Sequence, residues 1–185
     1  ARPEDGYGVS KWEAEQALLE ISKTTSMEVV ILRPPLVYGP GVKGNFLTLL
    51  KAVDRGTVLP LGAIQNQRSL IYVGNLADVI VTATTHADAA NQTFFVSDEG
   101  TVSTTSLIEN IAASLNKKPR LINLPPGLLK FAGALTGKSG AIQRLIGSLT
   151  VDSGKTRSLL NWRPPFTMTE GLKLTADWWR SVKNK

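Results

Sequence analysis

Tyr7 and Lys11 have the residue types and the spacing for acid–base chemistry. They stand four positions apart, which places both side chains on one face of an α-helix, with Cβ atoms about 5–6 Å apart. A phenol titrates near about 10, and a cation held one turn away favours the phenolate. The pair could therefore exchange a proton with a sugar hydroxyl. The alternative is an ordinary Tyr/Lys pair on an amphipathic helix.

Residues 39–44 (GPGVKG) form a glycine-rich loop between a predicted strand and a predicted helix. The loop matches G-x-G-x-x-G, the pattern that binds dinucleotides after a strand. Two features argue against that motif. Its tight turn is incompatible with the prolines at Pro34, Pro35 and Pro40. In addition, no second strand ends in an acidic residue at the distance that the motif requires. The pattern instead favours a phosphate-binding site, formed by Lys43 and the backbone amides at the helix start near Asn45. The alternative is a purely structural loop.

Composition excludes several other chemistries. The 185 residues contain no Cys and one His (His86), which removes disulfides, Cys-ligated zinc, thiol nucleophiles and a histidine metal cluster, so we expect no metal site. The lack of Cys is typical of a reducing cytoplasm. No apolar run approaches the ~20 residues of a membrane span. The net charge of +6 comes from Lys and Arg spread along the chain, which disfavours nucleic-acid binding.

Hydrophobic periodicity predicts an α/β fold with a mainly parallel sheet, because strands alternate with helices. Four consecutive apolar residues in EVVILR predict a strand buried on both faces, ended by Pro34 and Pro35. Asn75 is the predicted N-cap of the third helix. The predicted helices cover residues 7–23, 45–55, 76–86, 103–115, 125–135, 141–146, 153–160 and 169–182, and the strands cover 28–33, 69–73, 92–96 and 120–124.

Four sequence blocks carry a family resemblance. They read YGVSK followed by WEAEQAL, then ILRPPLVYGPGVKGNF, then NQRSLIYVGNLADVI, then GSLTVDSGKTRSLLNWRPP. In this order they resemble an extended short-chain dehydrogenase/reductase of the nucleotide-sugar epimerase group. The resemblance implies the C-terminal part of an NAD(P)-binding Rossmann-like fold together with a small α/β substrate-binding domain. It implies that residues 1–40 belong to the cofactor domain and 41–185 mainly to the substrate domain, with residues near 69–86 returning to the first.

The resemblance also implies roles for individual residues. Tyr7 would be the acid/base at the sugar 4-hydroxyl, and Lys11 would hydrogen-bond the nicotinamide ribose. Arg33 and Pro34 would line the nicotinamide pocket. The residues implied to meet the diphosphate or ribose of the sugar nucleotide are Asn45, Arg68 and Arg144, beside Lys43 from the loop.

The implied function is that of an NAD-dependent 4-epimerase of UDP-glucose, UDP-galactose or their N-acetyl forms, acting by transient oxidation at C4 in carbohydrate or polysaccharide metabolism. The resemblance places the NAD fingerprint before residue 1, so the isolated chain is expected to be inactive and NAD to be bound mainly by that N-terminal half. A 4-reductase or dehydratase, and a non-catalytic sugar-nucleotide-binding module, remain alternatives. Relatives pair through the YxxxK helix, so a homodimer is expected there.

Overall fold

The structure, a computed structural model, describes residues 6–137 and 139–183. Residues 1–5 of the predicted first domain lie outside the described residues. The helices are α1 Gly6–Thr24, α2 Gly44–Asp54, α3 Val73–Thr85, α4 Thr104–Ser114, α5 Pro126–Leu135, α6 Ser139–Ile146, α7 Gly154–Leu159 and α8 Met168–Val182. The strands are β1 Ile31–Arg33, β2 Leu36–Tyr38, β3 Leu70–Tyr72 and β4 Thr93–Phe95, and a 3₁₀ turn covers Ala87–Ala89.

The four strands form two parallel pairs, which confirms the predicted parallel α/β architecture. In the first pair, β1 runs beside β4 with Ile31 opposite Thr93. In the second, β2 runs beside β3 with Leu36 opposite Leu70. Pro34 and Pro35 separate β1 from β2, because a proline has no N–H to donate to a ladder. The chain therefore changes strand partner at this proline pair.

Two local predictions were wrong, and one strand was not predicted. The segment after Pro35 forms β2, whose three residues are too few for a periodic signal. Asn75 is not a cap, since α3 begins at Val73 and Asn75 is fully buried within it. Residues 120–124 do not form a strand; Leu121 makes a single parallel bridge to Leu59.

Two clusters of buried side chains form the core. The larger one packs α2, α4 and α8 against β2 and β3, with Phe46, Leu50 and Ile108 almost fully buried. The smaller one lies around Phe94 and Trp162, between β4 and α3. The division into domains at residue 40 stays a prediction. Among the described helices, none is long and apolar enough to cross a membrane.

Asp54, at the end of α2, fastens α2 to α8 and to the segment after α4. Its carboxylate lies 2.8 Å from Lys117 Nζ and 3.1 Å from Lys183 Nζ, and it accepts a 3.0 Å hydrogen bond from Trp179 Nε1. Burial raises the pKa of Asp54, but the hydrogen bonds from Lys117, Trp179 and Lys183 outweigh it and lower that pKa to about 2. The charged carboxylate is therefore part of what holds these elements together.

Candidate functional site

Tyr7 and Lys11 share one face of α1, as their spacing predicts. The ammonium of Lys11 lies 5.4 Å from the centre of the Tyr7 ring. Tyr7 is 72% exposed and Lys11 is also exposed, because α1 buries none of its residues within the structure. Both polar ends are thus open to a ligand, and the acid/base role remains a prediction.

Arg33 stands at the carboxyl end of β1 and connects that strand to α1. Its Nε lies 3.1 Å from both carboxylate oxygens of Glu15, and its Nη2 also bonds Glu15. The hydrogen bond with Glu15 raises the pKa of Arg33, burial lowers it, and the charge of Glu15 adds to the rise. Pro34 follows and is exposed. The predicted nicotinamide contacts therefore lie at the edge where parallel sheets bind ligands.

Lys43 and Asn45 flank the first residue of α2, and both are exposed. Lys43 is the N-cap residue, and its side chain makes no capping hydrogen bond. In the loop before it, Gly39 adopts φ +145°, and a Cβ there would lie 2.4 Å from Val73 Cγ1. The loop can pack on the start of α3 only because residue 39 is glycine, which supports the structural reading beside the phosphate reading.

Arg68 contacts two segments that are distant from it in sequence, one at Val102 and one at residues 144–149. Its backbone bridges Val102 and Leu149, and its Nη1 donates to the backbone oxygen of Arg144 in α6. Burial lowers the pKa of Arg68. The structure thus brings Arg68 and Arg144 together, although the contact uses the main chain of Arg144 and leaves its side chain exposed. The predicted shared contact with a diphosphate stays a prediction.

The predicted residues fall into three groups: Tyr7 with Lys11, Lys43 with Asn45, and Arg68 with Arg144. Within residues 6–137 and 139–183, no hydrogen bond or ion pair joins a side chain of one group to a side chain of another. Arg33 is bonded to Glu15 on α1, the helix that also carries the first group. The same residues hold no cluster of three His, Asp or Glu side chains suited to a metal ion.

The sequence model of the NAD dependent epimerase/dehydratase family matches residues 1–96, just over half of the chain. The chain belongs to this family. The match includes Tyr7, Lys11 and Arg33, so the part of the predicted site on α1 and β1 lies within the family's own region.

Curated relatives of this epimerase/dehydratase chain include two 4-epimerases. A UDP-glucose 4-epimerase of Vibrio cholerae is 47% identical over 184 residues, covering 99% of this chain and 56% of that protein. An N-acetyl-alpha-D-glucosaminyl-diphospho-ditrans,octacis-undecaprenol 4-epimerase of Escherichia coli O157:H7 is 28% identical over 190 residues, covering 95% of this chain and 57% of the other. The chain spans about half the length of the curated relatives it matches.

Solved structures confirm the predicted fold class. The Bordetella bronchiseptica enzyme WbmF, solved in complex with NAD+ and UDP, superposes with a TM-score of 0.76. The two chains are 18% identical, and the match covers 99% of this chain and 55% of WbmF. The chain therefore has the Rossmann-like α/β fold of the part of WbmF that it matches.

Asn66 is a structural residue of the site that sequence reasoning missed. Its Nδ2 donates to the backbone oxygens of Leu145 (3.2 Å) and Gly147 (2.7 Å), and its Oδ1 accepts from Thr104 N (2.8 Å). It lines an open cleft of about 450 Å³ beside Ser148. Asn66 thus fixes the end of α6 against the start of α4. In sequence it stands in an unremarkable polar turn, which gave no signal of this role.

Asp98 is the centre of a second polar network that no motif indicated. It accepts hydrogen bonds from Tyr38 OH (3.0 Å), Tyr72 N (3.1 Å) and Asn75 Nδ2 (2.7 Å). Burial raises the pKa of Asp98 and outweighs these hydrogen bonds, which lower it. Burial and the adjacent Asp98 raise the pKa of Tyr38 as well. The network joins β2, β3 and α3, and its Tyr38 directly precedes the glycine loop.

Proposed function

We propose that the chain supplies the acid–base helix and the nucleotide-sugar part of an NAD-dependent nucleotide-sugar 4-epimerase. The substrate would be UDP-glucose, UDP-galactose or their N-acetyl forms. The observation that carries the proposal is the 47% identity to the Vibrio cholerae UDP-glucose 4-epimerase. Because the chain spans 56% of that protein, the activity is proposed for a polypeptide of the relative's length that contains this sequence.

Two side chains of α1 fit a nicotinamide nucleotide. The Tyr7 hydroxyl and the Lys11 ammonium are exposed on one face, and neither has a carboxylate partner within the described residues. Both are donors that suit ribose hydroxyls. When bound, NAD supplies hydride acceptance and return at the sugar carbon. Tyr7 removes the proton of the sugar 4-hydroxyl and later returns it, and Lys11 stabilises the phenolate from one turn away.

The nucleotide sugar is proposed to meet the other predicted residues through its diphosphate. Lys43 and Asn45 stand at the N-terminal end of α2, where unpaired amides and the helix dipole favour an anion. The Arg144 side chain is exposed, and Arg68 keeps Nε and Nη2 outside its bond to the Arg144 backbone. Arginine can form a bidentate contact with phosphate, whereas lysine cannot. Arg33 and Pro34 would border the nicotinamide end.

A homodimer through α1 is part of the proposal. This helix exposes Val9, Trp12, Leu18 and Ile21, a set of apolar side chains that a second copy would cover. We further propose a cytoplasmic enzyme of polysaccharide biosynthesis, since its substrates would be soluble UDP-sugars. Light scattering of the full-length polypeptide, with Trp12→Glu as the disrupting variant, tests the dimer.

Turnover by a full-length polypeptide that contains this sequence tests the function. We expect interconversion of UDP-glucose and UDP-galactose without net consumption of NAD, and loss of at least about 100-fold in kcat for Tyr7→Phe, the scale of general acid–base catalysis. Lys11→Met should also reduce kcat, whereas Lys23→Met, an exposed lysine on the same helix, serves as the matched control.

Three other outcomes would overturn the proposal. Stoichiometric oxidation of reduced cofactor would identify a 4-reductase, and a 4,6-dehydration product would identify a dehydratase. Binding of UDP-sugar that survives Tyr7→Phe, with no turnover in any variant, would identify a binding module.

A further inference from the structure

Lys and Arg occur along the whole chain, but their excess over Asp and Glu is confined to one segment. Residues 110–151 contain no Asp or Glu and six basic residues, namely Lys117, Lys118, Arg120, Lys130, Lys138 and Arg144. The remaining 15 Lys and Arg residues equal the 15 Asp and Glu residues in number. The entire net charge of +6 therefore resides in the segment that contains α5 and α6.

Most of these cations have no internal partner. Lys117 pairs with Asp54. Lys118, Arg120, Lys130 and Arg144 are exposed, and in the part of the chain that the structure describes none of them lies in an ion pair. Their charge is thus available to an external anion.

Helix α5 also presents an apolar stripe to solvent. Leu128, Phe131 and Leu135 follow an i, i+3, i+7 spacing, which places them on one side of the helix. Phe131 is 64% exposed and Leu135 is 73% exposed. The opposite side of α5, at Leu129 and Gly133, is buried, and a Cβ at Gly133 would lie 2.6 Å from Ile142 Cδ1 of α6. The stripe therefore faces away from the packed hairpin of α5 and α6.

We propose that this α5 stripe, together with the unpaired cations of residues 110–151, docks onto an anionic bilayer surface. An exposed apolar helix face flanked by Lys and Arg is the arrangement that buries itself at the headgroup level, where lipid tails accept Leu and Phe and anionic headgroups attract the cations. Two copies of the segment repel each other, because each has a net positive charge even with Lys117 paired to Asp54, and this repulsion disfavours self-association through this face. The docking is peripheral and does not require Arg144, the cation of this segment that the proposed function assigns to the diphosphate.

Vesicle flotation of the chain tests the proposal directly. We expect the chain to float with phosphatidylcholine vesicles that contain phosphatidylglycerol, to float much less with pure phosphatidylcholine, and to be released as salt rises above about 0.1 M. Absence of flotation with the anionic vesicles, or equal flotation with neutral ones, would overturn the proposal. If the partner of this surface is instead an acidic protein, the chain should not float with the anionic vesicles.

Matched variants separate the stripe from the general charge of the protein. Phe131→Ser with Leu135→Ser should weaken partitioning at least about tenfold, while Val81→Ser with Leu174→Ser, exposed on α3 and α8, should not change it. Lys118→Glu with Lys130→Glu should weaken partitioning about tenfold or more relative to the control pair Arg163→Glu with Lys173→Glu. The two pairs change the net charge equally. Equal losses in test and control pairs would refute a localised docking surface. Unchanged thermal midpoints exclude unfolding as the cause.

Discussion

Replacing Asp54 by Asn isolates the charge that fastens α2 to α8. The folded-state pKa of Asp54 is lowered from 3.8 to about 2, which corresponds to about 2 kcal/mol of stabilisation near neutral pH. The carboxylate is only 12% exposed, so solvent screens it weakly, although Lys117 and Lys183 are more open. We therefore expect Asp54→Asn to lower the free energy of unfolding by about 2 kcal/mol at pH 7.

The pH dependence of that loss is the sharper part of the prediction. A carboxyl group whose pKa is lowered by folding stabilises the protein above its unfolded value, and this contribution disappears as pH falls through the folded value. The difference between the two proteins should thus shrink to about half near pH 3 and vanish below about pH 2.

Urea unfolding of both proteins between pH 3 and pH 7, followed by tryptophan fluorescence, measures the difference. Glu99→Gln, an exposed carboxylate without a partner in the described structure, is the control and should cost little at any pH. A loss in Asp54→Asn that is the same at every pH would refute the reasoning, because it would mean that shape or hydrogen bonding, rather than charge, carries the effect. High salt should reduce the loss, since both lysines are partly exposed.

Three further substitutions test the buried polar groups and the glycine loop. Tyr38→Phe should cost about 1 kcal/mol in urea unfolding and raise the pKa of Asp98 further, seen by carbon NMR of the carboxyl, because it removes a hydrogen bond that lowers that pKa. Asn66→Ala should lower the free energy of unfolding by about 1–3 kcal/mol and speed hydrogen exchange at the Thr104 amide, which loses its acceptor. Exchange at this amide that is as slow in the variant as in the parent protein would contradict the hydrogen bond to Asn66. Gly39→Ala should destabilise by about 2 kcal/mol or more, whereas Gly127→Ala, in open space inside α5, should raise the melting temperature.

Sequence patterns predicted the helices and the parallel pairing because both depend on local periodicity and on apolar runs. The i, i+4 spacing likewise placed Tyr7 beside Lys11. β2 escaped prediction because three residues after a proline pair carry no measurable period. Asn75 looked like a cap because Asn favours that position, but the buried Asp98 carboxylate offers it a stronger partner.

Contacts between distant segments were beyond the reach of sequence patterns. Arg68 and Arg144 are 76 residues apart, and their contact depends on the path of the main chain rather than on residue type. The same holds for Asp98, whose partners Tyr38 and Asn75 come from other elements. The family resemblance marked Arg68 and Arg144 as candidates. Only the fold shows that the Arg68 side chain donates a hydrogen bond to the backbone oxygen of Arg144.

The proline pair between β1 and β2 has a mechanical consequence. Both prolines have a fixed φ, and each also restricts the residue before it, so Arg33 and Pro34 lose much of their remaining backbone freedom. The two strand pairs thus share a stiff covalent joint at the point where Arg33 meets Glu15. We therefore expect a displacement of β1 to carry β2 and the glycine loop with it.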